Sequence, residues 1–116
     1  MSRPRCLLVL LALLAAGCGW VPKDEQAIRT FFAQSSLYDR TRLADVAQVV
    51  FDPRVEGVVD RFDVVSRNDT TGNDGRLHRV AQVDAVVRSS RGRAHRTIFL
   101  TLEQAATGRW MITAYR

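Results

Sequence analysis

The feature that most restricts the fold is a change of hydrophobic period at Pro53. Ahead of it, in KDEQAIRTFFAQSSLY, Ile28, Phe31, Phe32 and Ser35 recur at helical spacing. Asp24 and Glu25 stand where acidic side chains complement a helix dipole, and Asp24 is the expected N-cap. DRTRLADVAQVVFDP repeats the pattern more cleanly, with Leu43, Val46, Ala47 and Val50 at i, i+3, i+4 and i+7. Asp39 is placed to cap this second helix and Pro53 to end it, because proline cannot donate to the helical ladder.

Beyond Pro53 the apolar residues alternate. VEGVVDRFDVVSR is rich in β-branched residues, with Val58, Phe62 and Val64 on one parity and Val59 and Val65 on the other. That mixture predicts a bulge near Gly57 or a strand covered on both faces. NDTTGNDG is a turn by composition. RLHRVAQVDAVVRSS then sets Leu77, Ala81, Val83, Ala85 and Val87 on one face, and Arg91-Gly92 reads as a hairpin tip. RAHRTIFLTLEQ turns Ile98, Leu100 and Leu102 inward; after the turn AATGR, WMITAYR groups Trp110, Ile112 and Ala114. The plan is α+β: two N-terminal helices covering one face of an antiparallel sheet of about four strands.

The chain begins MSRPRCLLVLLALLAAGCGW, in which an apolar run of eleven residues from Cys6 to Ala16 follows Arg3 and Arg5. A bilayer-spanning helix needs about 20 apolar residues, whereas a secretory signal core needs about 7–15 behind a basic start. Ala15-Ala16-Gly17-Cys18 then resembles the lipobox of bacterial lipoproteins, with alanine at Ala15 where leucine is commoner. In that family the cysteine thiol accepts a diacylglyceryl group and the chain is cut just before it. The resemblance implies cleavage between Gly17 and Cys18 and lipidation of Cys18. It divides the chain into a signal (1–17), a lipidated tether (18–22) and one α+β domain (23–116). The implied location is a cell membrane or outer membrane, the domain facing the periplasm, and Gly19 stands where some inner-membrane members carry a retention aspartate. The alternative is an ordinary signal with an incidental cysteine. With Cys6 removed and Cys18 acylated, neither of the two cysteines is left for a disulfide.

The order helix, helix, four strands resembles the nuclear transport factor two-like superfamily, the cone-shaped cystatin-like fold, over roughly residues 24–116. The ending GRWMITAYR is its most telling piece, similar to the Gly-x-Trp-x-Ile close of many such domains. The chain is short for that family and carries one helix fewer than the usual three, which implies a more open cone. A helix-on-sheet domain of another topology is the alternative. Enzymes of the superfamily place a carboxylate, a tyrosine or a His–Asp pair in an apolar cavity, and Asp60, His78, Asp84 and Tyr115 are the residues here of that type. Asp60 shares parity with Val58 and Phe62, so it points inward unless a bulge turns it out beside Arg61. His78 and Asp84 lie six residues apart, about 20 Å along a strand, and cannot form a dyad.

Removing the signal lowers the net charge from +5 to about +3, too mild for nucleic-acid binding. Charge is uneven: residues 23–65 carry eight acidic and six basic side chains, residues 66–116 four and nine. The densest cluster is RSSRGRAHR, where Arg88, Arg91, Arg93 and Arg96 surround one hairpin tip. Guanidinium groups bind phosphate and carboxylate bidentately, so anionic lipid headgroups or an envelope protein are the expected partners. The alternative is a solvated tip whose arginines protect a sheet edge. TTGNDG only loosely echoes a calcium loop, and His78 and His95 find no obvious third ligand. No metal or other cofactor is expected. The function classes left are a non-catalytic binding module, a small cone-fold enzyme using an inward carboxylate such as Asp60, and a purely structural envelope lipoprotein.

Overall fold

The computed structural model describes residues 21–116, and the apolar run, Gly17 and Cys18 lie outside the described residues. Helix α1 (Lys23–Leu37) is followed by two single turns, α2 (Arg40–Leu43) and α3 (Pro53–Glu56). Four strands then form one antiparallel sheet in sequential order: β1 (Val58–Thr71), β2 (Leu77–Ser89), β3 (Gly92–Gln104) and β4 (Trp110–Tyr115). The α+β plan with an open four-stranded antiparallel sheet is therefore what the chain adopts. No helix among the described residues is long and apolar enough to cross a membrane.

Helix α1 buries Ala27, Ile28, Phe31, Phe32 and Ser35, the stripe its sequence predicts. Its cap differs from expectation. Pro22 takes the N-cap position, and Asp24 sits inside the first turn with its carboxylate directed at the sheet. The helix stops at Tyr38, which turns left-handed (φ 53°) so that the Asp39 amide reaches the Gln34 carbonyl at 3.1 Å.

The second expected helix is only its first turn. Asp39 does cap it, accepting from the Arg42 amide at 3.1 Å, but beyond Leu43 only turn bonds continue, the last from the Ala47 amide to the Leu43 carbonyl at 2.8 Å. The reason is competition from β4: Ile112 donates to the Val46 carbonyl and accepts from the Gln48 amide, both at 2.8 Å. This parallel bridge at Ala47 covers the β4 edge and holds Leu43 and Ala47 inward, while Val50 faces out. Proline opens α3 rather than ending a helix, with Asp52 as its cap and Pro53 in the first helical turn, where no amide is needed.

The mixed parity of β1 resolves into two bulges, at Asp60 and Val65, where the register with β2 shifts. Each shift returns the following residues to the helix-facing side, so Val59, Phe62 and Val64 pair with Val87, Ala85 and Val83. A third irregularity at Thr113 puts Tyr115 inward opposite Leu100 and leaves Ala114 exposed, against the expected grouping of Ala114 with Trp110 and Ile112. The core between α1, the 43–51 segment and the sheet is aromatic at its centre. Phe51 lies 5.4 Å from Phe32, 6.4 Å from Phe31 and 5.2 Å from Tyr115 between ring centroids, and its amide donates to the buried Ser35 hydroxyl at 3.1 Å.

Candidate functional site

Two groups of ion pairs fasten opposite ends of the sheet. At the end where α1 begins, the Asp24 carboxylate is 1% exposed and accepts from Arg67 Nε at 2.6 Å and Arg79 Nη1 at 3.0 Å. Arg79 also chelates Asp69, at 2.6 and 2.8 Å, and stacks 4.5 Å above the Trp110 ring. Burial alone would push the Asp24 pKa up. Hydrogen bonds from Arg67 and Arg79, the charge of Arg67 and the Glu25 amide outweigh it and hold the carboxyl below its ordinary range. The Arg79 pKa is raised, chiefly by its bonds to Asp69.

The other end carries the arginine-rich hairpin. Arg88 and Arg93 face each other across β2 and β3, and both reach the Asp60 carboxylate, at 3.2 and 3.0 Å. The bulge at Asp60 turns this carboxylate to the face away from the helix, where it offsets the hairpin charge. It is not aimed into the core. Arg96 lies on the helix-facing side, bonds Glu56 of α3 and covers the Phe51 ring at 5.5 Å. Arg91, at the tip, forms no ion pair among the described residues. The sequence thus locates the cluster, but three of its four guanidinium groups have partners within the chain.

The other expected polar residues are dispersed. Asp84 is exposed, with the Thr97 hydroxyl 3.5 Å away. Tyr115 is half-buried among Phe31 and Phe51; burial, then the charge of Glu56, raises its pKa. His95 pairs with Val86 and His78 with Glu103, so the two histidines do not meet. NDTTGNDG ends in a turn in which the Asp74 carboxylate accepts the Arg76 amide at 2.9 Å. Among these residues no two converge inside an apolar cavity, because Phe31, Phe32, Phe51 and Trp110 fill the space between helix and sheet.

What sequence reasoning missed is the surface beside the hairpin tip. The α1 C-terminus, the Val50 loop and α3 meet there, leaving Leu37 (71% exposed), Tyr38, Val50 and Val55 (77% exposed) uncovered. The Tyr38 hydroxyl joins these pieces, donating to Asp52 at 2.6 Å and accepting from Arg54 Nε at 2.8 Å. A cleft of about 620 Å³ separates α3 from the tip, lined by Arg54, Val55, Ser89, Ser90 and Arg91. Arg40, Arg54 and Arg91 have no carboxylate within ion-pair distance among the described residues. The sequence signal was present in two unpaired features, a helix-terminal Leu-Tyr and a valine inside the α3 turn. Arg54 is bonded to the Tyr38 hydroxyl and stacked 5.2 Å from its ring, while Arg40 and Arg91 lack carboxylate partners; a surface of this kind can bury hydrophobic area while receiving carboxylates or phosphates. No protein-family model matches this chain, and neither does any curated protein or solved structure compared with it.

Proposed function

We propose that the chain is a bacterial lipoprotein, cleaved before Cys18 and held on a membrane by lipid on that residue, with a non-catalytic binding domain facing the periplasm. Helix α1 begins at Lys23, so a tether of five residues would keep the domain close to the bilayer. A more open variant of the cystatin-like cone fits the sequential sheet with its three bulges under a single long helix. The observation that carries the binding role is a pair of adjoining clefts, one lined by Tyr38, Arg40, Val50 and Arg54 and the other by Arg54, Val55 and Arg91, with exposed Leu37 next in sequence to Tyr38. It lies at the end of α1 away from the tether, about 22 Å along the helix. An acidic surface of another envelope protein is therefore favoured over the headgroups of the anchoring membrane.

The filled interior and the outward, arginine-paired Asp60 weigh against an isomerase- or dehydratase-like role. Two measurements test the reading. Cys18→Ser should release the protein from the membrane fraction, and mass spectrometry of the wild type should find acyl chains on Cys18. A photo-crosslinker at Val55 should capture another envelope protein in living cells, whereas one at Thr97 on the opposite face should not. An unacylated Cys18 overturns the anchor, and equal labelling from both positions overturns the binding surface.

A further inference from the structure

The turn between β1 and β2 brings three metal-ligating side chains together on the sheet face away from the helix. Asp74 comes from the turn, His78 from β2 and Glu103 from the facing position of β3, with one ligand atom of each within 4.8 Å of the others. We propose that Asp74, His78 and Glu103 form a binding site for a divalent transition cation of the Zn2+ class, with an open position for water. This inference is independent of the anchoring and partner-binding reading.

The spacing of the first two ligand atoms is that of donors sharing one metal. His78 Nε2 and Asp74 Oδ1 stand 3.4 Å apart. An imidazolium bonded to a carboxylate would close to about 2.7–2.9 Å. Two donors on one tetrahedral Zn2+, at roughly 2.0–2.1 Å for nitrogen and 2.0–2.2 Å for oxygen, lie about 3.4 Å from each other. Gly72 supplies the room. A Cβ there would fall 2.6 Å from His78 Nε2 and 2.8 Å from Asp74 Oδ1, so any side chain would displace both ligand atoms.

The donor set also selects the ion. One imidazole and two carboxylates match the mixed nitrogen and oxygen preference of Zn2+, whereas Ca2+ requires about six to eight oxygens, which three side chains do not supply. The competing charge is Arg76, whose Nη1 donates to Glu103 Oε1 at 2.7 Å. That bond engages one oxygen of the Glu103 carboxylate, and the Arg76 side chain that makes it is 60% exposed. The cation and Arg76 therefore compete for one carboxylate, and removing the arginine should tighten metal binding.

Calorimetric titration of Zn2+ into the full-length protein in detergent, at pH 7 and without chelators, tests the site. One Zn2+ per chain is expected. His78→Ala and Glu103→Gln should each weaken binding by at least about tenfold, since even outer-shell partners of a metal typically contribute 10–100-fold. Gly72→Ala should weaken it without altering a ligand, Arg76→Ala should strengthen it, and His95→Ala should change nothing. Excess Ca2+ should not displace the metal. Circular dichroism of each variant separates ligand loss from misfolding, and Glu103→Gln, which keeps the shape of Glu103, carries the test if His78→Ala unfolds. Absence of Zn2+ binding to the wild type, undiminished affinity in folded His78→Ala or Glu103→Gln, or displacement by Ca2+ would each overturn the proposal.

Discussion

Asp24→Asn isolates the charge that ties α1 to the sheet. The substitution keeps the size of the side chain and one acceptor oxygen but removes the negative charge facing Arg67 and Arg79. Breaking a buried ion pair by removing one partner costs roughly 3–5 kcal/mol. Here the Arg67 and Arg79 side chains are 32% and 19% exposed and can partly rehydrate, and Arg79 retains Asp69. The expected cost is therefore lower, about 2–3 kcal/mol. For a domain of this size that is a fall in Tm of roughly 10–20 °C. The pH dependence gives a second, sharper readout. Because the folded-state pKa of Asp24 is lowered, its contribution is complete above the ordinary carboxylate value of about 3.9 and is lost as pH falls through the folded value. Thermal melts followed by circular dichroism from pH 7 to pH 2.5 should show a constant gap between wild type and variant above about pH 5, narrowing towards zero in acid. Asp52, Asp69 and Asp74 also have lowered pKa values, so the variant should retain some acid sensitivity of its own. A variant melting within about 2 °C of wild type at pH 7, or a gap independent of pH, would refute the assignment of this energy to the carboxylate charge.

Ser35→Ala should destabilise the domain by about 1–3 kcal/mol in urea titration, because it leaves the buried Phe51 amide without an acceptor. Gly57→Ala should be more damaging than Gly75→Ala. Both glycines have positive φ, and Gly57 (φ 87°, ψ −172°) lies in a region nearly restricted to glycine, where strain costs about 1–3 kcal/mol; only at Gly57 would the new Cβ also lie 2.7 Å from Val87 and 2.8 Å from the Arg88 carbonyl. Equal Tm shifts for the two would remove the role assigned to this close approach. For a partner captured through Val55, Arg91→Glu should mainly slow association and flatten its salt dependence, whereas Val55→Ala should mainly speed dissociation, since rim charges act mainly on encounter and buried apolar contacts on residence. The reverse ranking in surface plasmon resonance would place the binding energy in the arginines.

The sheet was legible because its apolar residues alternate over long runs and its turns are marked by glycine. Even the His78–Glu103 contact follows from the hairpin tip, since pairing Ser89 with Gly92 and stepping back without a bulge sets those two opposite each other. The second helix was misread for a physical reason. Leu43, Val46 and Ala47 fit a helical stripe equally well when they line a segment hydrogen-bonded to β4, and periodicity does not register that competing edge. Parity at Asp60 was open for a similar reason: a bulge reverses facing without changing composition. Asp24 looked like a cap because caps are satisfied locally, whereas its partners are 43 and 55 residues away.

Asp24 and Asp60 are each held by two arginines, yet the two sites do different physical work. Asp24 is enclosed, so its charge stays paired and the start of α1 keeps one position against β1 and β2. The Asp60 side chain is 24% exposed and shares a rim with Arg88 and Arg93, where solvent weakens each pair. An acidic partner approaching the hairpin would compete with Asp60 for guanidinium groups already satisfied, and would gain little from them. Arg91 and Arg40 have no carboxylate partner among the described residues, and Leu37 and Val55 offer area whose burial is worth roughly 25 cal/mol per Å². The density of arginines in the sequence marks this end of the molecule, and of its four residues Arg91 alone lacks an ion pair among the described residues, so under the proposed binding role Arg91 is the one with charge to spare.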